Sequence, residues 1–216
     1  MNPARLSFDV NALRDRLSAR ASSAPDPRFA AFTPAAVLVP VVLGGAEPTL
    51  LLTRRTAHLR DHPGQIAFPG GRVDEGDASP EATALREAQE EIGLEPERVD
   101  LIGRLPDYYI TASGFRVTPV VGVLQAPVLT RLDAFEVDEV FETPLSFLLD
   151  PANRRRGIIE HQGISREFWA MPWQGYDIWG ATAGMIVSFA EQLLGAALSA
   201  CPAAEQGTDP DLNISK

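Results

Sequence analysis

Apolar and polar positions along this chain recur with two periods, and the switches between them mark out the elements. Leu6, Val10, Leu13 and Leu17 stand at helical spacing, which predicts a short amphipathic N-terminal helix with Ser7 or Asp9 as its cap. Ser22 to Pro27 is rich in turn residues and reads as a loop. The unbroken apolar run Ala35 to Leu43 predicts a strand, and Pro40 within it predicts an edge position or a bulge. Gly44-Gly45 followed by Leu50-Leu51-Leu52-Thr53 predicts a hairpin into a second strand. Ile66 to Phe68 predicts a short strand ending in a glycine turn at Pro69-Gly70-Gly71, with an acidic loop after it.

The period then changes to 3.6. Ser79 fits an N-cap, Pro80 the first helical position and Gly93 the residue past the C-terminus, so a helix is bracketed between them. At about 100° per residue, Leu85, Ala88 and Ile92 share one face, while Glu87, Glu90 and Glu91 share the opposite one. Beyond it, Val99 to Leu105 and Arg116 to Leu124 read as strands, the second made irregular by Pro119. Tyr108 to Gly114 reads as a loop whose tyrosines either stack on a base or are buried. Glu136, Asp138, Glu139 and Glu142 alternate with Val137, Val140 and Phe141 ahead of Pro144, as in a strand end with outward acids. Ser146 to Leu149 predicts a short helix, Gly157 to Glu160 a strand, and Phe168 to Gly180 two aromatic-rich segments about a turn. A final helix is expected from about Ala181 to Leu198, with Met185, Ile186, Phe189, Leu193 and Leu194 at core spacing. No internal repeat is present. The pattern amounts to mixed α and β in a single domain over residues 1–200, with residues 201–216 a disordered tail.

Composition narrows the classes of function. A chain of 216 residues with 45% hydrophobic content has enough core to fold alone. Its net charge of −10 argues against non-specific nucleic-acid binding, which needs a basic footprint. The single cysteine, Cys201, excludes an internal disulfide framework and leaves the body of the chain without a thiol catalyst. No apolar run reaches the ~18 residues of a membrane span. The start lacks a signal-peptide pattern, and the end is not a peroxisomal signal, so a cytoplasmic enzyme is the simplest expectation.

Against that acidic background two features carry candidate chemistry. Glu87, Glu90 and Glu91 repel one another by roughly 0.2–0.5 kcal/mol per pair, near a helix end whose dipole favours cations. Arg86 relieves part of this by pairing with Glu90, and a divalent cation would relieve more. Hard oxygen ligands on one helix face suit Mg²⁺ or Mn²⁺; a solvated acidic face is the structural alternative. Thr53 to His62 holds three arginines, Arg54, Arg55 and Arg60, and two of the three histidines against one acid. Arginine forks match phosphate oxygens, whereas a solvated loop would need no ligand. His58 and His62 lack the further ligands that zinc would need, and Arg154-Arg155-Arg156 reads as a solvated hairpin or a second phosphate contact. No Gly-x-Ser-x-Gly elbow is present for acyl transfer.

The stretch from Gly70-Gly71 through Arg86-Glu87-Ala88-Gln89-Glu90-Glu91-Ile92-Gly93 resembles the Nudix box. Asp77 replaces the usual glutamate six residues after Gly71, and Arg86 follows nine later, one more than the usual spacing. That combination resembles the coenzyme A pyrophosphatase branch, whose second signature is matched by Leu51-Leu52-Thr53-Arg54-Arg55-Thr56, Arg60, Gly64 and Phe68-Pro69-Gly70-Gly71, with Thr56 at a position usually Ser or Ala. Ile178 to Ala183 resembles a segment that opens the final helix in that branch.

The resemblance implies a Nudix fold, a mixed sheet between helices in an α/β/α sandwich. It implies Mg²⁺- or Mn²⁺-dependent cleavage of coenzyme A, and possible cleavage of its acyl or oxidised forms, into 4′-phosphopantetheine and adenosine 3′,5′-bisphosphate. Glu87, Glu90, Glu91 and the Gly70 carbonyl would hold the metal, and Glu90, Glu91 and Arg86 would carry catalysis, Arg86 by orienting a glutamate. Arg54, Arg55, Arg60 and Gly71 would meet substrate. Asp77 would anchor the loop or a second metal, and the general base would be a box glutamate or one of the acids from Glu136 to Glu142. ADP-ribose, dinucleotide polyphosphates or nucleoside triphosphates are the competing substrates. A non-catalytic Nudix-fold sensor is disfavoured by the intact box glutamates.

Overall fold

The computed structural model describes residues 8–20, 26–59, 62–161 and 164–194. Along the chain run helix α1 (Val10–Arg20), strands β1 (Thr33–Leu43), β2 (Thr49–Arg55), β3 (Ile66–Ala67) and β4 (Gly70–Arg72), and helix α2 (Pro80–Ile92). Strands β5 (Asp100–Arg104), β6 (Tyr108–Ile110), β7 (Phe115–Gln125) and β8 (Val137–Pro144) follow, then helix α3 (Leu145–Leu149). Strands β9 (Arg155–His161), β10 (Ile164–Trp173) and β11 (Tyr176–Trp179) lead into helix α4 (Gly180–Leu194).

The main sheet is mixed. β1 and β7 pair in parallel from Thr33–Phe115 to Leu43–Gln125, while β2, β4, β5 and β6 join them antiparallel and β3 and β8 join β2. Side chains alternate across this sheet and build two cores. Ala36, Leu38, Val42, Leu51, Val120 and Leu124 pack with Ala84, Ala88 and Ile92 of α2. Val39, Val41, Leu50, Leu52, Val121 and Val123 pack on the other face with α1, α3 and α4. The second sheet, in the order β11–β10–β9, adds Met171 and Ile178 to that core. The layering is the α/β/α arrangement expected. Among the described residues no helix is long and apolar enough to cross a membrane.

The N-terminal helix forms with Asp9 accepting from the Ala12 N–H at 3.0 Å and with Leu13 and Leu17 fully buried. Several local expectations are corrected. β1 is an interior strand, despite Pro40. Its flank is shared by two partners, β4 up to the Val37–Gly70 pair and β2 from the Val41–Leu50 pair. The Leu38 N–H points to this flank and donates to the Pro69 carbonyl at 2.8 Å. By alternation the nitrogen of Pro40 faces the gap between the two partners, so no ladder bond is lost. Pro119 occupies the equivalent gap on β7, between the Val117–Tyr108 and Val120–Arg104 pairs.

Gly70-Gly71 is likewise no turn but strand β4, paired with Val37 and Ala36. A Cβ on Gly70 would stand 2.4 Å from the Ala36 carbonyl, so only glycine lets the two backbones come this close. Tyr108 and Tyr109 lie in strand β6. The Tyr109 ring stacks on Phe29 at 4.2 Å and its hydroxyl accepts from the Asp26 N–H at 3.1 Å, so its expected stacking is taken up within the chain rather than on a loop. The final helix is described to Leu194; its predicted extension and the predicted tail lie outside the described residues.

Candidate active site

Helix α2 is fixed at both ends by its own sequence. The Ser79 hydroxyl accepts from the Ala82 N–H at 3.3 Å, Pro80 opens the helix, and Gly93 closes it in the left-handed region at φ 66°. The core face carries Ala84, Ala88 and Ile92, whereas Leu85, expected there, is only half-buried. This rotation turns Glu91 inward as well, to 5% exposure, and leaves Glu90 outward.

The three glutamates therefore meet different surroundings. Glu91 sits beneath β4, where its carboxylate accepts from the Gly70 N–H at 3.2 Å, and Arg55 Nη1 lies 3.8 Å away. Burial pushes its carboxyl up to about 8, helped by the neighbouring charges of Glu87 and Glu136 and opposed by Gly70 and Arg55. Glu87 packs its carboxylate flat against the backbone of Gly71, where an added Cβ would lie 2.5 Å from its Cδ. Burial raises its carboxyl too, against the pull of Arg86. Glu90 is 61% exposed in its side chain and pairs with Arg86 at 2.9 Å. The structure thus brings Glu87 and Glu91 together and sets Glu90 on the outer side.

Arg86 is the organising cation. It donates to both oxygens of Asp77 at 3.1 and 2.9 Å, to Glu87 and Glu90 at 2.9 Å each, and to the Arg72 carbonyl at 3.1 Å. Asp77 accepts in addition from the Thr83 hydroxyl at 2.9 Å and the Asp74 N–H at 3.0 Å. The Arg86 bond foremost, then the Asp74 N–H and the Thr83 hydroxyl, holds the Asp77 carboxyl far below the ordinary carboxylate range. These bonds tie Asp77, and the loop that carries it, to helix α2. Thr83 escaped the sequence reading; its signal was a hydroxyl one turn before Arg86 on the core side of the helix.

The basic segment divides. β2 alternates, so Arg55 faces the carboxylates while Arg54 faces the opposite side, paired with Asp138 and Glu139 at 2.9 and 2.8 Å. Arg60 lies outside the described residues. The acids after residue 135 divide in the same way. Glu139 accepts from the Tyr176 hydroxyl at 2.6 Å and Glu142 from the Thr49 hydroxyl at 2.5 Å. Glu136 alone among them adds its charge to that felt by Glu87 and Glu91. In the second basic stretch, Arg154 donates to the Leu149 carbonyl at 3.1 Å and Arg156 pairs with Glu167 at 3.2 Å, both structural roles.

Among the described residues no group of three or more His, Cys, Asp or Glu side chains is placed to hold a metal ion. Glu87 and Glu91 offer two oxygen ligands whose charge Arg86 and Arg55 balance in part. That chemistry fits a hard divalent cation of the Mg²⁺ type, which keeps open positions for water and substrate phosphates.

Comparison with known proteins places the chain in a family. The NUDIX domain family model matches residues 32–155, a span holding β1 to β8 and α2. A protein of Enterobacter sp. (strain 638) described as "Uncharacterized Nudix hydrolase NudL" is 46% identical over 159 residues, 74% of this chain and 82% of its own length. The like-named protein of Escherichia coli (strain K12) is 45% identical with the same coverage of both chains. Among solved structures, the Nudix hydrolase RenU from M. Smegmatis is 24% identical, covers 53% of this chain and 71% of its own, and superposes with a TM-score of 0.46. The NUDIX domain of Shewanella oneidensis NrtR complexed with ADP ribose is 22% identical, covers 57% and 80%, and gives 0.43.

Proposed function

The chain belongs to the Nudix family, and we propose that its substrate within that family's reaction is coenzyme A. Nudix-type hydrolysis of a diphosphate-containing nucleotide is the general activity, and a Nudix domain typically needs a divalent metal for it. Cleavage at the diphosphate of coenzyme A would give 4′-phosphopantetheine and adenosine 3′,5′-bisphosphate. One P–O bond forms from water, the P–O–P bridge breaks, and the proton of the water passes to a carboxylate of the centre.

The observation that supports this choice is the position of Arg55. The segment from Leu51 to Thr56 carries the branch signature, and β2 delivers its second arginine to within 3.8 Å of Glu91. A ligand with about four negative charges, a diphosphate and a 3′-phosphate, calls for such a cation beside the carboxylates. Glu87 and Glu91, with the Gly70 carbonyl, would hold the metal, and Arg86 would fix the Glu87 rotamer rather than touch substrate. When bound, the metal offsets the charge of the diphosphate and lowers the pKa of a water. Glu90 keeps a candidate role through its shared contact with Arg86. On the composition of the chain, we assign the enzyme to the cytoplasm and to a small-molecule substrate rather than nucleic acid.

The test is product analysis by liquid chromatography and mass spectrometry, with Mg²⁺ or Mn²⁺ and coenzyme A, ADP-ribose or diadenosine polyphosphates, beside a Glu91→Gln control. Phosphopantetheine and adenosine bisphosphate, absent with the control, are the expected products. Turnover of ADP-ribose or dinucleotides in place of coenzyme A would keep the family reaction and remove the substrate reading.

A further inference from the structure

Phe135 is an anomaly beside the carboxylate centre. It is a large apolar side chain left 65% exposed, yet its backbone is held on every side. Its N–H donates to the Asp133 carboxylate at 2.9 Å, and its carbonyl accepts from the Thr56 hydroxyl at 2.8 Å. The flanking chain is pinned as well, by Asp133 N–H to the Glu91 carbonyl at 2.8 Å and Thr56 N–H to the Glu136 carbonyl at 3.0 Å. An exposed phenyl ring on a mobile loop would need no explanation; one fixed in place by the residues that neighbour Arg55, Glu91 and Glu136 does.

Among the described residues its ring contact is with His58, also exposed, at 4.8 Å between centroids and 59° between planes. Rings tilted in this way do not cover one another, so Phe135 keeps a face open to solvent. The backbone bonds set the Phe135 segment beside Thr56, the residue after Arg55, and beside the Glu91 end of α2. Phe135 precedes Glu136, whose carbonyl accepts from the Thr56 N–H, and His58 follows three residues after Arg55.

We propose that Phe135, edged by His58, is a stacking wall for the purine base of the substrate. The diphosphate lies alongside Arg55 at the carboxylate centre, and the adenine extends outward along the 131–136 loop to lie on the phenyl face. The wall rests on the reading of the carboxylate centre as a diphosphate site, not on the choice of coenzyme A, because any adenine nucleotide presents the same ring.

The experiment compares two probes that differ only in the base, AMP and ribose 5-phosphate. Their affinities for the full chain with Mg²⁺ are measured by calorimetry in the parent, Phe135→Leu and Phe135→Trp. Base–aromatic stacking contributes roughly 1–3 kcal/mol, so the parent should prefer AMP by about tenfold or more. Leucine keeps apolar area but has no π face, and should bring the two affinities close together; tryptophan should preserve the preference. An unchanged preference in Phe135→Leu, or no preference for AMP in the parent, overturns the wall. Because neither probe is hydrolysed at a diphosphate, this outcome is independent of which substrate the product analysis identifies.

Discussion

Asp77 and Glu91 both keep their side chains almost closed to solvent, at 7% and 6% exposure, yet one is held far below the ordinary carboxylate range and the other is pushed up to about 8. Burial dominates at Glu91, whereas donors, Arg86 first, dominate at Asp77. Asp77 accepts two bonds from Arg86, one from Thr83 and one from the Asp74 N–H. Glu91 accepts one, from the Gly70 N–H, and shares its neighbourhood with Glu87 and Glu136. A carboxylate with several donors, a guanidinium among them, locks a loop; one buried with a single donor among like charges costs stability until a cation or a proton arrives. Arg86 joins the two, spending most of its donors on the satisfied side and one nitrogen on Glu87 and Glu90. The same short stretch of chain thus contains a strut and a reactive centre.

Removing the reactive side should separate stability from activity most sharply. Glu91→Gln is expected to lower turnover by about 10³-fold or more, since it removes charge where the metal and the developing phosphoryl charge are held. In chelator the same variant should melt above the parent. The folded carboxyl titrates near 8 and the unfolded one near its ordinary value, so the stability tied to the neutral form is complete at low pH and is lost as pH rises through 8. Glutamine stays neutral throughout. The gap in melting temperature should therefore open between about pH 5 and pH 8 and then level off. A glutamine variant that melts below the parent across this range would show Glu91 to be a structural residue like Asp77.

Gly71→Ala should produce a smaller loss. The new Cβ would stand 2.5 Å from the Glu87 Cδ, so the carboxylate must swing away from β4. The atom displaced is the far end of a flexible side chain, which predicts a change in urea stability below about 1 kcal/mol. Misplacing one catalytic oxygen by an ångström can cost ~10²-fold, which sets the expected fall in kcat. Unchanged kcat would mean that the contact between Glu87 and Gly71 has no part in the reaction.

How far the sequence led depends on the range of the interactions involved. The α2 caps at Ser79, Pro80 and Gly93 are local chemistry and were legible residue by residue. The pairing of Arg86 with Glu90 followed from helical spacing alone. The interior place of β1 was not legible. A proline removes an N–H wherever it stands, and only the register of β2 and β4 reveals that the flank beside Pro40 has no partner to lose. The glycine turn failed for a similar reason: Gly70 and Gly71 serve close approach to β1 and Glu87, which local sequence does not distinguish from a bend. Arg54 and Arg55 read as one patch because composition counts charges, whereas strand alternation sends them to opposite faces. The selection of Glu136 from the acids after residue 135 required the folded loop, since nothing in the spacing of four acids favours one.

The strut offers the mildest and most discriminating test. Asp77→Asn leaves the shape intact but gives up the charge that accepts from Arg86, Thr83 and the Asp74 N–H. Charge-assisted bonds in a partly shielded site predict a loss of about 1–2 kcal/mol at neutral pH, with kcat within about tenfold of the parent. The pH dependence runs opposite to that of Glu91. A carboxyl held low contributes stability that is present above its unfolded value and is lost as pH falls towards the folded one. Urea titrations should therefore show parent and variant separated by a constant amount above about pH 5 and converging as pH falls below the ordinary aspartate value near 4. If the asparagine variant instead loses turnover as completely as Glu91→Gln while its stability is unchanged, Asp77 belongs to the reactive centre, and the division between strut and centre falls between Arg86 and the outer loop rather than between Asp77 and Glu91.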